Sequence, residues 1–122
     1  MTPIDLCYLG LVDAGQHIRT RQFSSVEVTR AILERISICD GRLGSYATLT
    51  PELALQAAGE ADREIDSGRR RGVLHGVPIA VKDLCNTEGI ATAAGMAIYR
   101  DFVPQRNATV VSRLKAAGAV LL

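Results

Sequence analysis

Val77-Pro78-Ile79-Ala80-Val81-Lys82 is the stretch on which the fold turns. A continuous apolar run this short, bounded by the polar segment 69–76 and by a lysine, has the length of a strand rather than a helix. Apolar on both alternating faces, it reads as a strand covered from both sides, as in a sheet flanked by helices. Pro78 has no N–H to donate, which puts it at the strand's start or at an edge.

Upstream, the sequence supplies the helices such a strand needs. Ser24-Ser25-Val26-Glu27 is a capping box, with Ser and Glu spaced to satisfy each other's backbone N–H groups. Behind it Val28, Ala31, Ile32 and Ile36 recur at helical spacing, with Glu27, Arg30 and Glu34 on the opposite face. That helix is expected to end before Asp40-Gly41. Thr2, Pro3 and Asp5 give a cap, a first-turn proline and an acidic first turn. A helix from there to about Thr20 is weakened by Gly10 and Gly15, and His17 is expected on its exposed side. Thr50-Pro51-Glu52 opens a further helix, with an alanine-rich stripe along Leu53, Ala57, Ala61 and Ile65, stopping at Ser67-Gly68. Between these helices, Ser45 to Thr50 is rich in β-formers and reads as a strand.

Downstream, residues 83–106 have no clean period and carry Gly89, Ala91, Thr92, Ala93, Ala94 and Gly95. They read as a long loop with a helical piece near Ala97 to Phe102; loops of this length are usually functional or disordered. Asn107 is expected to cap a last helix with Val110, Val111, Leu114 and Ala117 on one face and Gly118 just past its end. Ala119-Val120-Leu121-Leu122 begins another buried strand. The order of elements indicates an α/β fold with helices packed on a mixed β-sheet. A helical segment is expected over 1–43, the start of an α/β core over 44–122, and a sheet truncated at the C-terminus.

Composition narrows the function classes. With 122 residues, one modest core fits and two domains do not. Net charge is +1, from 14 basic and 13 acidic residues, which leaves no electrostatic footprint for nucleic acid. Arg69-Arg70-Arg71 reads as a solvated turn. No basic stretch precedes an apolar one at the N-terminus, so no signal peptide is read there. No window approaches the roughly 18 apolar residues that span a bilayer. Cys7, Cys39 and Cys85 form no CxxC pair and no disulfide framework, which suits a reducing cytoplasm. Two histidines without matching ligands give no expectation of a metal.

Lys82 is the candidate for chemistry. It follows a strand, and in open α/β sheets sites form at the carboxyl ends of strands. If partly buried there, its amine is pushed toward the neutral form that can act as a base; if it only caps the strand, it points to water. Asp83 either steadies the following loop through backbone N–H groups or is solvated, the pattern favouring solvation. Thr92 and Gly95 belong to a loop that lines a pocket or packs closely on a helix. Cys85 has no basic partner nearby and reads as a small buried hydrophobe rather than a nucleophile. His75 reads as a turn residue.

One resemblance covers nearly the whole chain in order. His75-Gly76-Val77-Pro78-Ile79-Ala80-Val81-Lys82-Asp83-Leu84 resembles the Gly-x-Pro-x-x-x-Lys-Asp segment of the amidase-signature family. Thr87 to Gly95 looks like that family's next loop. Asp101-Phe102-Val103-Pro104 and Asn107 to Ala119 resemble the segments beyond that loop, and Ser24 to Ile36 resembles a helix near the family's N-terminus. The resemblance implies a hydrolase of carboxylic amides. In that mechanism a serine attacks the carbonyl, a second serine in a cis peptide relays the proton, and a neutral lysine is the base. Backbone N–H groups of a glycine-rich segment hold the oxyanion. Lys82 matches the lysine. The family's Gly/Ser-rich signature is not found among these residues, which contain no Gly-Gly pair. Cys85, Ala93 and Met96 depart from residues frequent in the family.

The residues leave three readings open. One is an amidase represented by its N-terminal portion, with no cofactor, a small-molecule amide as substrate, and a homodimer or the remainder of the amidase chain as partner. Another is the glutaminase subunit of a tRNA-dependent amidotransferase, itself making no direct nucleic-acid contact. The last is a non-catalytic remnant or interaction module. Poor solubility is expected from an open strand edge.

Overall fold

The computed structural model describes residues 1–122. Its elements are α1 (Pro3–Leu6), α2 (Leu11–Arg19), α3 (Ser25–Leu43), α4 (Pro51–Asp66), β1 (Pro78–Ile79), a 3-10 turn (Ala97–Tyr99), α5 (Thr109–Ala116) and β2 (Val120–Leu121). β1 and β2 pair in parallel, Pro78 opposite Val120 and Ile79 opposite Leu121. The Val120 and Leu122 N–H groups donate to Val77 and Ile79 carbonyls at 2.9 and 3.0 Å. Pro78 thus sits at the strand's start, and the ladder to β2 runs through its neighbours.

The Ser24 capping box forms, and Thr2 with Asp5 makes a second. Ser24 and Thr2 accept from Glu27 and Asp5 N–H groups, and each acid returns the contact to its cap residue. α3 is also capped across space, since the Asp62 carboxylate accepts the Ser25 and Val26 N–H groups at 2.8 and 3.1 Å. Negative charge there meets the positive end of the helix dipole.

Several expectations are corrected. The first helix is two helices, separated at Cys7–Gly10, with Gly10 as the cap of α2. Gly15 stays within α2 because α2 presses on the backbone of Val73; a Cβ there would lie 2.1 Å from the Val73 oxygen. α3 runs past Gly41 to Leu43, and the left-handed cap is Gly44 (φ 61°), whose N–H reaches Asp40 O at 2.8 Å. Ser45 to Thr50 is not a strand. The Asp40 carboxylate takes the Ser45 and Tyr46 N–H groups at 2.7 and 3.4 Å, so two donors of this segment are satisfied without a neighbouring strand. The sheet present is one parallel pair rather than mixed. Asn107 accepts the Glu88 N–H at 2.8 Å instead of capping α5, whose cap is Ala108. His17 is half-buried, edge-on to Phe23 at 5.7 Å between ring centroids, not on an exposed face.

The core has two parts. Ala14, Ile18, Val28, Ile65 and Val77 join α2, α3, α4 and the entry to β1. Each fully buried Val or Ile contributes about 1.5–3 kcal/mol. Ala54, Ala58 and Val120 form the second part, where β2 lies on α4. The buried stripe of α4 is Ala54, Ala58, Ala61 and Ile65, so Leu53, placed in that stripe by spacing alone, is 55% exposed. Methyl side chains on this face let β2 approach closely. No helix is long and apolar enough to cross a membrane.

Glycine substitutions separate these contacts. Gly15→Ala is expected to lower stability by about 1–3 kcal/mol or more through overpacking. Gly41→Ala, with nothing within 4 Å of its Cβ, is expected to raise it by up to about 1 kcal/mol through helix propensity. Urea midpoints at constant m-value read both signs.

Candidate functional site

β1 ends at Ile79, and the chain continues through Ala80 and Val81 to Lys82 at the rim of a cavity of about 500 Å³. One wall is the Gly44 to Thr50 segment, another is the turn at Lys82 to Cys85, and the end of β2 contributes Leu121 and Leu122. Lys82 and Asp83 are the only charged side chains among the 17 residues around this cavity, and none of the 17 is a histidine. The one side-chain amine around the cavity is that of Lys82. Lys82 is exposed, so the partial burial considered for it is not provided by these residues.

Asp83 is not free in solvent. Its carboxylate accepts the Ala93 N–H at 3.2 Å, and its main-chain oxygen accepts the Ala94 N–H at 2.8 Å. These bonds hold a turn in which Ala94 takes φ 51° and Gly95 φ 71°. A left-handed alanine is uncommon and costs backbone energy, which the paired contacts to Asp83 offset. The loop is tied down further along. Thr92 N–H donates to Phe102 O at 2.9 Å, Gly89 N–H to Pro104 O at 3.0 Å, and Ala108 N–H to Asn86 O at 2.8 Å. The buried Thr92 hydroxyl donates to Ile90 O at 3.2 Å and accepts the Thr87 N–H at 3.4 Å.

Thr92 therefore lines the cavity, and Gly95 does not. Cys85 also lines it; it is half-buried, and its N–H donates to Lys82 O at 2.9 Å, closing the turn after the lysine. His75 lies in a turn as expected but is buried. Tyr46 and Thr48, on the segment with strand-like composition, face the cavity opposite the lysine's turn. The signal for them was Asp40 followed by Gly44: an acid able to take up the N–H groups just beyond a glycine-capped helix.

The cavity can admit a small molecule, and its polar equipment is one amine, one carboxylate already engaged in the loop, and several hydroxyls. Such a set suits proton transfer to a bound neutral group.

Comparison with known proteins adds an independent line. A family model described as Amidase matches residues 27–122. The chain is 55% identical over 114 residues to "Putative amidase AmiD" of Mycobacterium tuberculosis, covering 93% of this chain and 24% of that protein. It is 45% identical over 118 residues to a glutamyl-tRNA(Gln) amidotransferase subunit of Anaeromyxobacter dehalogenans, covering 97% and 24%. The solved structure of native peptide amidase from Stenotrophomonas maltophilia superposes with a TM-score of 0.88 at 38% identity, over 94% of this chain and 24% of that one. The chain spans about a quarter of the length of the curated relatives it matches.

Replacing Asp83 tests the loop's anchoring. In Asp83→Ala, the Ala93 amide is expected to exchange with solvent faster, while the Ala94 amide, bonded to the main chain, keeps more of its protection. Residue-resolved hydrogen exchange distinguishes the two.

Proposed function

The chain belongs to the amidase-signature family, and we propose that it is the lysine-bearing part of a carboxylic-amide hydrolase in which Lys82 is the base. The observation that supports this most directly is the position of Lys82. It follows β1, it is the only amine at the 500 Å³ cavity, and it lies in the family-like run from Gly76 to Asp83.

The chemistry assigned to it is limited by what surrounds it. A base must hold a lone pair, so Lys82 acts as the neutral amine, accepting the proton of an attacking serine and returning it to the leaving nitrogen. Lys82 is exposed here, and desolvation by further protein would favour the neutral form. The nucleophilic and relay serines expected from the family are assigned to a Gly/Ser-rich segment outside these residues. A lysine without its nucleophile carries out no covalent catalysis. We therefore assign these 122 residues no hydrolysis by themselves. The remainder of an amidase chain is the partner that would complete the site. A free-standing amidase is favoured over an amidotransferase subunit by the higher identity to AmiD, 55% against 45%.

Two assays test this. The chain alone should release no ammonia from simple carboxamides above the level of Lys82→Ala; Lys82-dependent release would overturn the first assignment. Mixed with a polypeptide comprising the remaining three-quarters of an AmiD-like relative, it should gain activity. Lys82→Ala should then cost on the order of 10⁴ in kcat, the scale of losing one member of a catalytic triad. An assembled complex equally active with Lys82→Ala would remove Lys82 from the mechanism.

A further inference from the structure

His75 stands where the turn after α4, the entry to β1 and the entry to β2 meet, and only 4% of it is exposed. Its Nδ1 accepts the Arg71 main-chain N–H at 3.2 Å. That contact puts the ring's single proton on Nε2, which lies 3.1 Å from Oε2 of Glu64. Glu64 also accepts Nε and Nη2 of Arg71, at 2.8 and 2.5 Å. On the ring's other side the backbone of Gly118 is so near that a Cβ there would lie 2.5 Å from Cδ2 of His75. The following residue, Gly76, donates its N–H to Gly118 O at 2.8 Å and accepts the Ser25 hydroxyl at 2.5 Å. The imidazole is thus wedged into the corner that launches both strands.

A neutral imidazole fits this corner, and an imidazolium does not. Protonated, the ring carries a donor on both nitrogens, and the new Nδ1–H would face the Arg71 N–H. We propose that His75 is a proton-controlled latch: neutral, it fastens the turn at Arg71 to Val77; protonated, it releases that turn and loosens the strand leading to Lys82.

The charged groups acting on the ring are Glu64 and Asp62 from α4 and Arg71 from the turn; the approach to β2 presents the Gly118 backbone. Burial is the largest influence and holds the His75 pKa below its ordinary 6.5, against the pull of Glu64. With the folded pKa below the unfolded one, the unfolded chain binds more protons in mild acid. The latch's contribution is complete above about 6.5 and is lost as pH falls from there through the folded pKa.

The experiment needs no hydrolytic activity, so its outcome is separate from the assignment of Lys82. The 122-residue protein has two histidines, which makes the His75 ring resonance readily assigned in an NMR titration. Amide exchange, corrected for the intrinsic rate, is followed at Gly76 and Val120, with Ala54 in α4 as control. His75 should titrate below 6.5, and protection at Gly76 and Val120 should fall with the same midpoint while Ala54 is unmoved. His75→Gln keeps an acceptor for the Arg71 N–H but cannot titrate there, and should flatten that pH dependence. Glu64→Gln removes a charge that favours the imidazolium and should move the midpoint lower. Should His75→Gln fail to fold, the wild-type and Glu64→Gln titrations still decide. A His75 midpoint at or above 6.5, or protection at Gly76 and Val120 indifferent to its ionisation, would overturn the latch.

Discussion

The Gly76 N–H donates to the Gly118 carbonyl at 2.8 Å, and the geometry of that one bond governs the rest of the molecule. It forms at the point where the chain enters both strands, one residue before the buried Val77 and two before Val120. Gly118 sits at φ 82° with the His75 ring against it, so any side chain there would meet both backbone strain and a collision. Gly76, at φ 80°, is approached by Ser25, 3.0 Å from where a Cβ would lie, and the Ser25 hydroxyl donates to the Gly76 carbonyl. Two glycines thus bring two backbones and a helix N-terminus within hydrogen-bonding distance. The parallel register of Pro78 with Val120 follows from that start.

Around this corner, carboxylates of α4 tie neighbouring segments together at the edge of the core. Asp62 closes the N-terminus of α3, and Arg21 reaches back to Asp62 and Asp66. Glu64 gathers Arg71 and His75. Asp62 satisfies the part-buried Ser25 and Val26 N–H groups, where an unmade hydrogen bond costs more than a made one contributes. α4 therefore has two functions. Its alanine stripe lets β2 lie close, and Asp62 and Glu64 bind the neighbouring turn and helix.

The lysine's surroundings are arranged by the same elements at one remove. β1 is only Pro78–Ile79, so Lys82 is aimed less by sheet pairing than by the loop beyond it. Asp83 anchors that loop through a carboxylate and a carbonyl, and Cys85 closes the turn onto Lys82 O. Tertiary packing brings the segment after α3 to face it across the cavity. A cavity holding one amine and no imidazole is chemically consistent with a family whose resemblance implies lysine, rather than histidine, as the base.

Much of this was legible in the residues. The Ser24–Glu27 box, the proline-opened α4, the apolar run at Val77 to Val81 and the glycine at 118 act through neighbours within a few positions, and local spacing encodes such contacts. The colinear motif through Lys82-Asp83 identified the family for the same reason: it is contiguous. Other features depended on contacts made across dozens of residues. Ser45 to Thr50 has strand-like composition, but Asp40 took its first donors and turned it into a cavity wall. The buried stripe of α4 fell on Ala54 and Ala58 because β2, sixty or so residues later, sets which face is covered. His75 looked like a turn residue and is one, yet its burial against Gly118 and Glu64 exists only once α4 and β2 converge. Sequence alone determined the caps at Thr2 and Ser24, the apolar runs that become β1 and β2, and the family, because these are local; tertiary structure decided registers, buried faces and the burial of His75, because those depend on which distant group arrives alongside.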